Sequence, residues 1–195
     1  NTVGGASAAL GNVISGNPVG VEISGTSCVI ENNDVGTDAT GTSGVGNTTV
    51  GVFDLGFGTL ITRNTIAFNG SSPSDGGIPT GAGVRIGDDS TTGYGNLITQ
   101  NAIFSNIGVG IDLGVDGVTP NQPAGLGAGP NAGQNYPILS SVAVNGAGTK
   151  VQGTLVSLQS SSFRLEFYAN AARDEQTYSF QNVTQPGQFG EGQTF

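Results

Sequence analysis

The chain has 195 residues, of which 35 are glycine and only 10% are charged. Fourteen acidic residues against five basic ones give a net charge of −9, which argues against a nucleic-acid partner and against an anionic membrane surface, because both need clustered lysine and arginine. The single cysteine excludes an internal disulfide, and no apolar run approaches the roughly 20 residues of a spanning helix, so membrane insertion is not expected.

Residues 12–113 alternate two short phrases. The first has the spacing Ile-x-x-Asn-x-Ile/Val, and its four copies begin at Ile14, Ile30, Ile61 and Ile98. The second starts with Gly-Val or Gly-Ile, and its copies begin at Gly20, Gly51, Gly83 and Gly110. The apolar residues are β-branched and alternate with polar ones, which predicts short strands rather than helices. Such a repeat indicates structural units that stack on one another.

Each unit is predicted to hold a short strand, a turn, the Ile-x-x-Asn phrase, a second short strand and another turn. Successive units would stack strand on strand about 4.8 Å apart, with aliphatic side chains inside. The asparagine of the phrase suits a bend, because asparagine tolerates the left-handed backbone conformation. Stacked amides can form a hydrogen-bonded ladder, which we expect from Asn33, Asn64 and Asn101. A parallel second row is expected from Asp38, Asn69 and Asn106.

The extra length of two units lies at 36–49 and 70–82. Both stretches follow the second strand of their unit, so they are predicted to leave the same corner and to lie side by side. Asn-x-Ser/Thr triplets, which are glycosylation acceptors in secreted proteins, occur at Asn47, Asn69 and Asn182. The first two fall in these protruding loops. The alternative is that such triplets arise by chance in a chain rich in Asn, Ser and Thr.

The repeat ends near residue 113. Residues 114–135 are rich in Gly, Pro and Asn and are predicted to form an ordered linker or cap loop. Longer strands are then predicted at 138–144, 149–158, 163–170 and 177–184. In the third of these, Phe163, Leu165 and Phe167 alternate with more polar residues, which predicts one buried and one solvated face.

The C-terminal segment leaves a sheet incomplete if it forms a sandwich. A sandwich of immunoglobulin type needs about seven strands and ~100 residues, and residues 136–195 hold enough chain for only part of one. An open sheet edge invites strand addition. A contact between unlike ends that does not close builds a filament. We therefore expect self-association, with head-to-tail homopolymers.

The repeat over 12–113 resembles the right-handed parallel β-helix of the pectate-lyase-like superfold. Segments 110–121, 134–139 and 163–171 resemble the junction between a β-helix and an Ig-like sandwich in large secreted bacterial surface proteins. The resemblance implies an all-β chain with a right-handed parallel β-helix of about four coils over 1–113, a linker or cap loop over 114–135 and a partial Ig-like sandwich over 136–195. It also implies a secreted or cell-surface location. A chain that begins at Asn1 is expected to be a processed product or a segment of a longer one.

Some members of that superfold act on polysaccharides, so acidic residues on the coils are catalytic candidates. Stacking is expected to bring Glu22, Asp54, Arg85 and Asp112 onto one exterior face, although such a row can simply keep a sheet face soluble. The chain has no histidine for general acid–base work and no tryptophan for a sugar platform. A non-enzymatic surface, adhesive or filament-forming role is therefore favoured. The alternative is a polysaccharide lyase, a glycoside hydrolase or a carbohydrate-binding module.

Calcium is the one cofactor that the sequence suggests. Asp112 and Asp116 occupy positions one and five of a loop whose sixth residue is Gly117, as in half of a calcium-binding loop. The acids at positions three and twelve are missing. The alternative is a turn in which each aspartate supports its own backbone.

Overall fold

A computed structural model of the chain describes residues 1–71, 81–88, 93–115, 117–123, 127–146, 148–168, 177–180 and 183–186. Across these residues the protein is all-β, with three parallel sheets of four strands and two antiparallel hairpins. The described helices are short 3-10 segments at Ala8–Leu10 and Pro130–Gly133. Neither has the length or the apolar character that a membrane span requires.

Twelve strands form four successive groups of three, and we call each group a coil. Coil one holds β1 (Thr2–Gly4), β2 (Val13–Ile14) and β3 (Val19–Ile23). Coil two holds β4 (Val29–Glu31), β5 (Asp34–Val35) and β6 (Val50–Asp54). Coil three holds β7 (Leu60–Thr62), β8 (Thr65–Ala67) and β9 (Val84–Ile86). Coil four holds β10 (Leu97–Thr99), β11 (Ala102–Phe104) and β12 (Ile111–Leu113).

Every third strand pairs in parallel with its counterpart in the next coil. Sheet A has the order β1-β4-β7-β10, sheet B the order β2-β5-β8-β11 and sheet C the order β3-β6-β9-β12. Val3, Ile30, Ile61 and Ile98 are partners in sheet A. Ile30, Ile61 and Ile66 are at most 1% exposed and belong to one apolar core. The predicted stacking of aliphatic strands is thus confirmed, and the arrangement is compatible with a parallel β-helix.

The bend between sheets A and B has its left-handed residue one position earlier than the sequence predicted. The left-handed residue is the one before each ladder asparagine: Asn32, Arg63 and Gln100 have φ of 58°, 54° and 58°. The asparagine that follows bridges the bend, because Asn64 Nδ2 donates to the carbonyl of Thr62 two residues earlier, at 3.0 Å. The expectation that the ladder asparagine itself is left-handed is therefore wrong.

The glycine of each Gly-Val phrase lies where sheet C meets the next coil at close range. A Cβ atom on Gly51 would lie 2.6 Å from the carbonyl oxygen of Gly83 and 2.8 Å from Nδ2 of Asn69. Gly20 and Gly83 are equally crowded by the coil that follows each of them. No side chain fits at these contact distances, which explains why the phrase repeats.

The C-terminal third contains two antiparallel hairpins, formed by β13 (Ile138–Asn145) with β14 (Gly148–Thr154) and by β15 (Thr177–Phe180) with β16 (Val183–Pro186). The predicted strand at 163–170 is absent over the described residues 163–168. Its predicted burial is also wrong, since Phe163, Leu165 and Phe167 are exposed. The side that faces the protein is instead the polar one, because Glu166 binds coil four.

Candidate functional site

Two columns of asparagine side chains run along the corners on either side of sheet B. The first ladder consists of Asn12, Asn33, Asn64 and Asn101. The second ladder consists of Asn17, Asn47, Asn69 and Asn106. In coils one to three, the backbone N–H and the side-chain Nδ2 of each ladder asparagine both donate to Oδ1 of the asparagine in the next coil, at 2.9 and 3.0 Å from Asn64 to Asn101. The same Nδ2 also donates backwards, from Asn64 to the carbonyl of Ile30 at 2.9 Å.

This pattern gives each ladder a direction. The Oδ1 atoms of Asn33, Asn64 and Asn101 accept from the coil before, whereas the backbone N–H groups of Asn33 and Asn64 donate to the coil after. A buried donor without an acceptor costs about 1–3 kcal/mol. The coil-four end therefore needs acceptors from outside the repeat.

The expected second row differs from the observed ladder at one member. Asp38 lies outside the ladder, where its Oδ1 accepts hydrogen bonds from Thr40 within the same loop. That side-chain bond, followed by backbone N–H donors, holds the pKa of Asp38 below its ordinary value. Asn47 takes the ladder position instead, because the insertion in coil two comes before the asparagine. In coil three the insertion comes after Asn69, so the two loops do not leave the corner at the same point.

The sequons at Asn47 and Asn69 are not in protruding loops, contrary to expectation. Both side chains are fully buried in the second ladder. The Nδ2 of Asn69 donates to Asn106 Oδ1 at 2.9 Å and to two backbone carbonyls. Neither nitrogen is accessible to a glycan-transferring enzyme in the folded chain. The third sequon, at Asn182, lies outside the described residues.

The catalytic row that stacking was expected to form differs by one position. In sheet C, Glu22 pairs with Phe53, Phe53 with Arg85, and Arg85 with Asp112. Asp54 is aligned with Ile23 and Ile86 and is fully buried. Its assignment to the exterior face was wrong because Phe53, and not Asp54, follows Val52 in the outward position.

The three remaining members of the row do not form an acid pair in a cleft. Arg85 Nε lies 3.6 Å from Asp112 Oδ2, with side-chain exposures of 12% and 4%. The guanidinium carbon of Arg85 also lies 5.9 Å from the centre of the Phe53 ring, a cation–π distance. These side chains therefore bind one another across the outer face of sheet C.

Asp54 is a carboxyl group inside the apolar core. Its Oδ1 accepts from the N–H of Gly56 at 2.8 Å and from the Thr59 hydroxyl at 3.2 Å. Its Oδ2 has no hydrogen-bond partner among the described residues. Burial raises the pKa of Asp54 above its ordinary value, against the opposing effect of the two donors.

The expected calcium loop is described only in part. Asp112 is buried against Arg85, and Asp116 lies outside the described residues. Within the described ranges, no three or more acidic, cysteine or histidine side chains are grouped as metal ligands. A calcium ion at Asp112 and Asp116 stays a prediction.

Coil four ends at a polar cap, which we define as residues 163–168. The N–H of Gln100 donates to Glu166 Oε2 at 2.9 Å, and the Thr99 hydroxyl donates to Glu166 Oε1. The Tyr168 hydroxyl donates to Glu166 Oε2 at 2.9 Å and accepts from the backbone N–H of Asn101. In the earlier coils, the N–H equivalent to that of Gln100 donates to a carbonyl of the next coil, as Arg63 donates to Gln100 at 3.1 Å.

The cap thus supplies the acceptors that a fifth coil would have supplied. Partial burial alone would raise the pKa of Glu166, but the Gln100, Thr99 and Tyr168 donors and the Arg164 charge lower it. Burial and the hydrogen bond to Glu166 raise the pKa of Tyr168 to about 12. The cap is therefore an anionic acceptor group at neutral pH. The third corner ends in the same way, since Asn96 N–H donates to Oδ1 of Asn131 at 2.9 Å.

A cavity of about 640 Å³ lies between the cap and the open end of the apolar interior. Its floor is formed by Ile98, Ile103, Ile111 and Leu113, and its rim includes Arg164 and Glu166. Among the described residues, coil four therefore presents apolar side chains that no further coil covers.

The β13–β14 hairpin carries the other large exposed apolar surface. Ile138, Leu139, Val142 and Val144 are 54–79% exposed. Strand β13 contains no charged residue and pairs along one edge only, among the described residues. Charged residues and prolines normally protect a free edge. Strand β13 contains neither, and Pro137 lies immediately before it.

Comparisons with protein-family models, with curated proteins and with solved structures found no match to this chain. Sequence reasoning missed Glu166 and Tyr168 as site residues, and their alternation with Phe163, Leu165 and Phe167 in an otherwise apolar segment is the only signal that could have indicated them.

Proposed function

We propose that this chain is a non-enzymatic structural subunit, secreted or displayed at a cell surface, that assembles with other copies through open β edges. The proposal takes the stacked coils as a right-handed parallel β-helix and the C-terminal hairpins as part of an Ig-like sandwich. In such a subunit the coils are a rigid spacer and the hairpins carry the contacts between subunits.

The observation that carries the proposal is the exposure of β13. A two-stranded hairpin is marginally stable at best in water, and here both faces of β13 are exposed along its whole length. Its free edge can add an antiparallel strand, and each cross-strand pair contributes about 0.2–1 kcal/mol. A second copy supplies the same uncharged strand, so the contact is self-complementary.

The state of the catalytic candidates is consistent with a structural role. Asp54 lies in the core, and Arg85 and Asp112 pair with each other. Glu22 is the one exposed side chain of the predicted row. Hydrolysis of a glycosidic bond uses two carboxyl groups that flank the substrate in an open site, and this row offers a single exposed one.

Sedimentation velocity over a wide range of protein concentrations tests the proposal. The unaltered chain is expected to form larger species as concentration rises. Val142→Lys, which places a charge on β13, is expected to shift the onset of assembly at least tenfold higher in concentration. Val45→Lys is the matched control, since Val45 is also an exposed valine but lies in a loop of coil two. An unaltered chain that stays monomeric throughout the range would contradict the proposal.

Carbohydrate binding is the second candidate, and one observation favours it. The rings of Phe57 and Tyr94 stack in successive coils, with centroids 6.3 Å apart and planes 9° from parallel. Phe57 is exposed, so the pair offers an aromatic face on the side of the coils. Affinity electrophoresis against neutral and acidic polysaccharides, with Phe57→Ala for comparison, tests this candidate through the loss of retardation.

A further inference from the structure

The cap at residues 163–168 is bound to its own chain through few and mostly polar contacts. Glu166 and Tyr168 account for the hydrogen bonds to Thr99, Gln100 and Asn101. The opposite side of the cap, with Phe163, Leu165 and Phe167, is exposed. The cap is therefore held by its acceptor atoms and is not embedded in the apolar core.

The cap is also distant from coil four along the chain. Glu166 follows Thr99 by 67 positions. The intervening chain includes the exposed β13–β14 hairpin and, at 159–162, an exposed Gln-Ser-Ser-Ser stretch outside any strand. Such a connection can let the cap reach a neighbouring molecule without breaking a strand of the coils.

We infer that the cap is an exchangeable element that docks on coil four of a second copy of this chain. The exchange breaks the contacts of Glu166 and Tyr168 within one molecule and remakes identical contacts between two. Exchange of an identical element between protomers has a low free-energy cost for this reason. Reciprocal exchange gives a closed dimer, and one-way exchange gives the open head-to-tail series.

The chemistry of the docking surface identifies the partner. Coil four presents N–H and hydroxyl donors at Gln100, Asn101 and Thr99, above the aliphatic floor formed by Ile98 and Ile103. An anionic acceptor with an aromatic hydroxyl two residues later matches these donors, and the chain itself carries that pair at Glu166 and Tyr168. This inference rests on the proposed self-association but uses a different surface from β13.

A complementation experiment with full-length chains tests the exchange. All chains carry Val142→Lys so that association through β13 is suppressed. One variant adds Glu166→Lys, whose side chain cannot accept from Thr99 or Gln100. The other adds Thr99→Glu, whose carboxylate repels the chain's own Glu166. Neither variant can hold its own cap, but the Glu166 cap of the Thr99→Glu variant suits the unaltered coil four of the Glu166→Lys variant.

The mixture is expected to form a one-to-one heterodimer by sedimentation, while each variant alone stays monomeric. Hydrogen exchange at the Gln100 amide is expected to slow at least tenfold on mixing. The matched control replaces Glu166→Lys with Glu31→Lys, because Glu31 has a similar side-chain exposure (13% against 14%) and a similar arginine contact (2.8 Å against 2.9 Å). Glu31 lies on coil two, so this control is expected to leave the mixture monomeric.

Protection of the Asn64 amide verifies that the coils of each variant are folded. Should Glu166→Lys disturb coil four, Glu166→Ala mixed with the Thr99→Glu variant provides the same readout, because the coil four of the Glu166→Ala chain is unaltered and lacks an acceptor from its own cap. Folded variants that stay monomeric in the mixture, with no change at Gln100, would overturn the exchange and leave association through β13 intact. Heterodimers in the mixture, together with an unaltered chain that shows no sensitivity to Val142→Lys, would support the exchange and refute the role of β13.

Discussion

The carboxyl group of Asp54 is expected to destabilise the fold at neutral pH. Asp54 lies in coil two, and the equivalent position is held by Ile23 in coil one and by Ile86 in coil three. Its Oδ2 has no partner among the described residues, and a buried polar group left unsatisfied costs about 1–3 kcal/mol, more when it is charged. Asp54→Asn keeps an Oδ1 acceptor for Gly56 and Thr59 and puts Nδ2 in the place of the unpartnered Oδ2, so the expected gain comes from removal of the charge alone.

The pH dependence identifies the cause. The pKa of Asp54 is higher in the folded chain than in the unfolded chain, so its contribution to stability is fully present below the unfolded pKa and is lost as pH rises through the folded one. Asp54→Asn should therefore change stability little at pH 3 and raise the free energy of unfolding by about 1–3 kcal/mol at pH 7. For a chain of this length that is roughly 2–4 °C in Tm per kcal/mol.

Thermal unfolding followed by circular dichroism from pH 3 to pH 8 measures this difference. Glu22→Gln is the control, since its side chain is exposed and its replacement should change stability by no more than about 0.5 kcal/mol at any pH. A difference between Asp54→Asn and the unaltered chain that stays constant across the pH range would refute the assignment of a destabilising buried charge.

Three further predictions concern the close contact at Gly51, the asparagine ladders and the cap. Gly51→Ala should lower the free energy of unfolding in urea by about 1–3 kcal/mol, because its Cβ would lie 2.6 Å from the Gly83 carbonyl oxygen, whereas Gly146→Ala, with no atom within 4 Å, should change it little. Asn64→Ala should lower the free energy of unfolding by about 3 kcal/mol or more, since it leaves several buried donors and acceptors unpaired. Asn17→Ala, at the exposed start of the second ladder, should lower it clearly less. Equal losses for the two variants would contradict a cooperative ladder. The pKa of Glu166 is lower in the folded chain than in the unfolded chain, so its contribution to stability is present above the unfolded pKa and is lost as pH falls through the folded pKa. Amide exchange at Gln100 should therefore accelerate relative to exchange at Asn64 in that acidic range. Glu166→Gln should abolish this pH dependence.

The stacking of the coils could be predicted because equivalent residues of successive coils recur in the sequence with the same spacing. Ile30, Ile61 and Ile98 recur with an asparagine three residues later, and both the core and the first ladder follow from that spacing. The error at Asp54 came from one residue. Phe53 takes the outward position after Val52, so Asp54, the next residue, faces the core. The second ladder was predicted to contain Asp38 and contains Asn47 instead. Spacing alone does not tell whether the extra residues of coil two come before or after the ladder position.

The cap could not be predicted, because its cause is not local. Alternation in residues 163–168 predicted that the apolar side faces inward, which is the usual outcome when a strand packs on a sheet. Here unpaired donors at Gln100 and Asn101 select the polar side instead. The signal is split between two segments more than 60 positions apart and emerges only when the direction of the hydrogen bonds in the ladder is known.

The direction of the ladders explains why the cap uses a carboxylate and a phenol. Within the coils, asparagine is suited to the corner because one amide both accepts from the coil before and donates to the coil after. At coil four there are donors still to satisfy, and the part of the chain that the structure describes forms no further coil to receive them. An acceptor-only group is then the best partner, and ionised Glu166 accepts from Gln100, Thr99 and Tyr168 together. A second asparagine there would bring unpaired donors of its own, so Glu166→Asn should fail to protect the Gln100 amide even though it restores the residue type of the ladder.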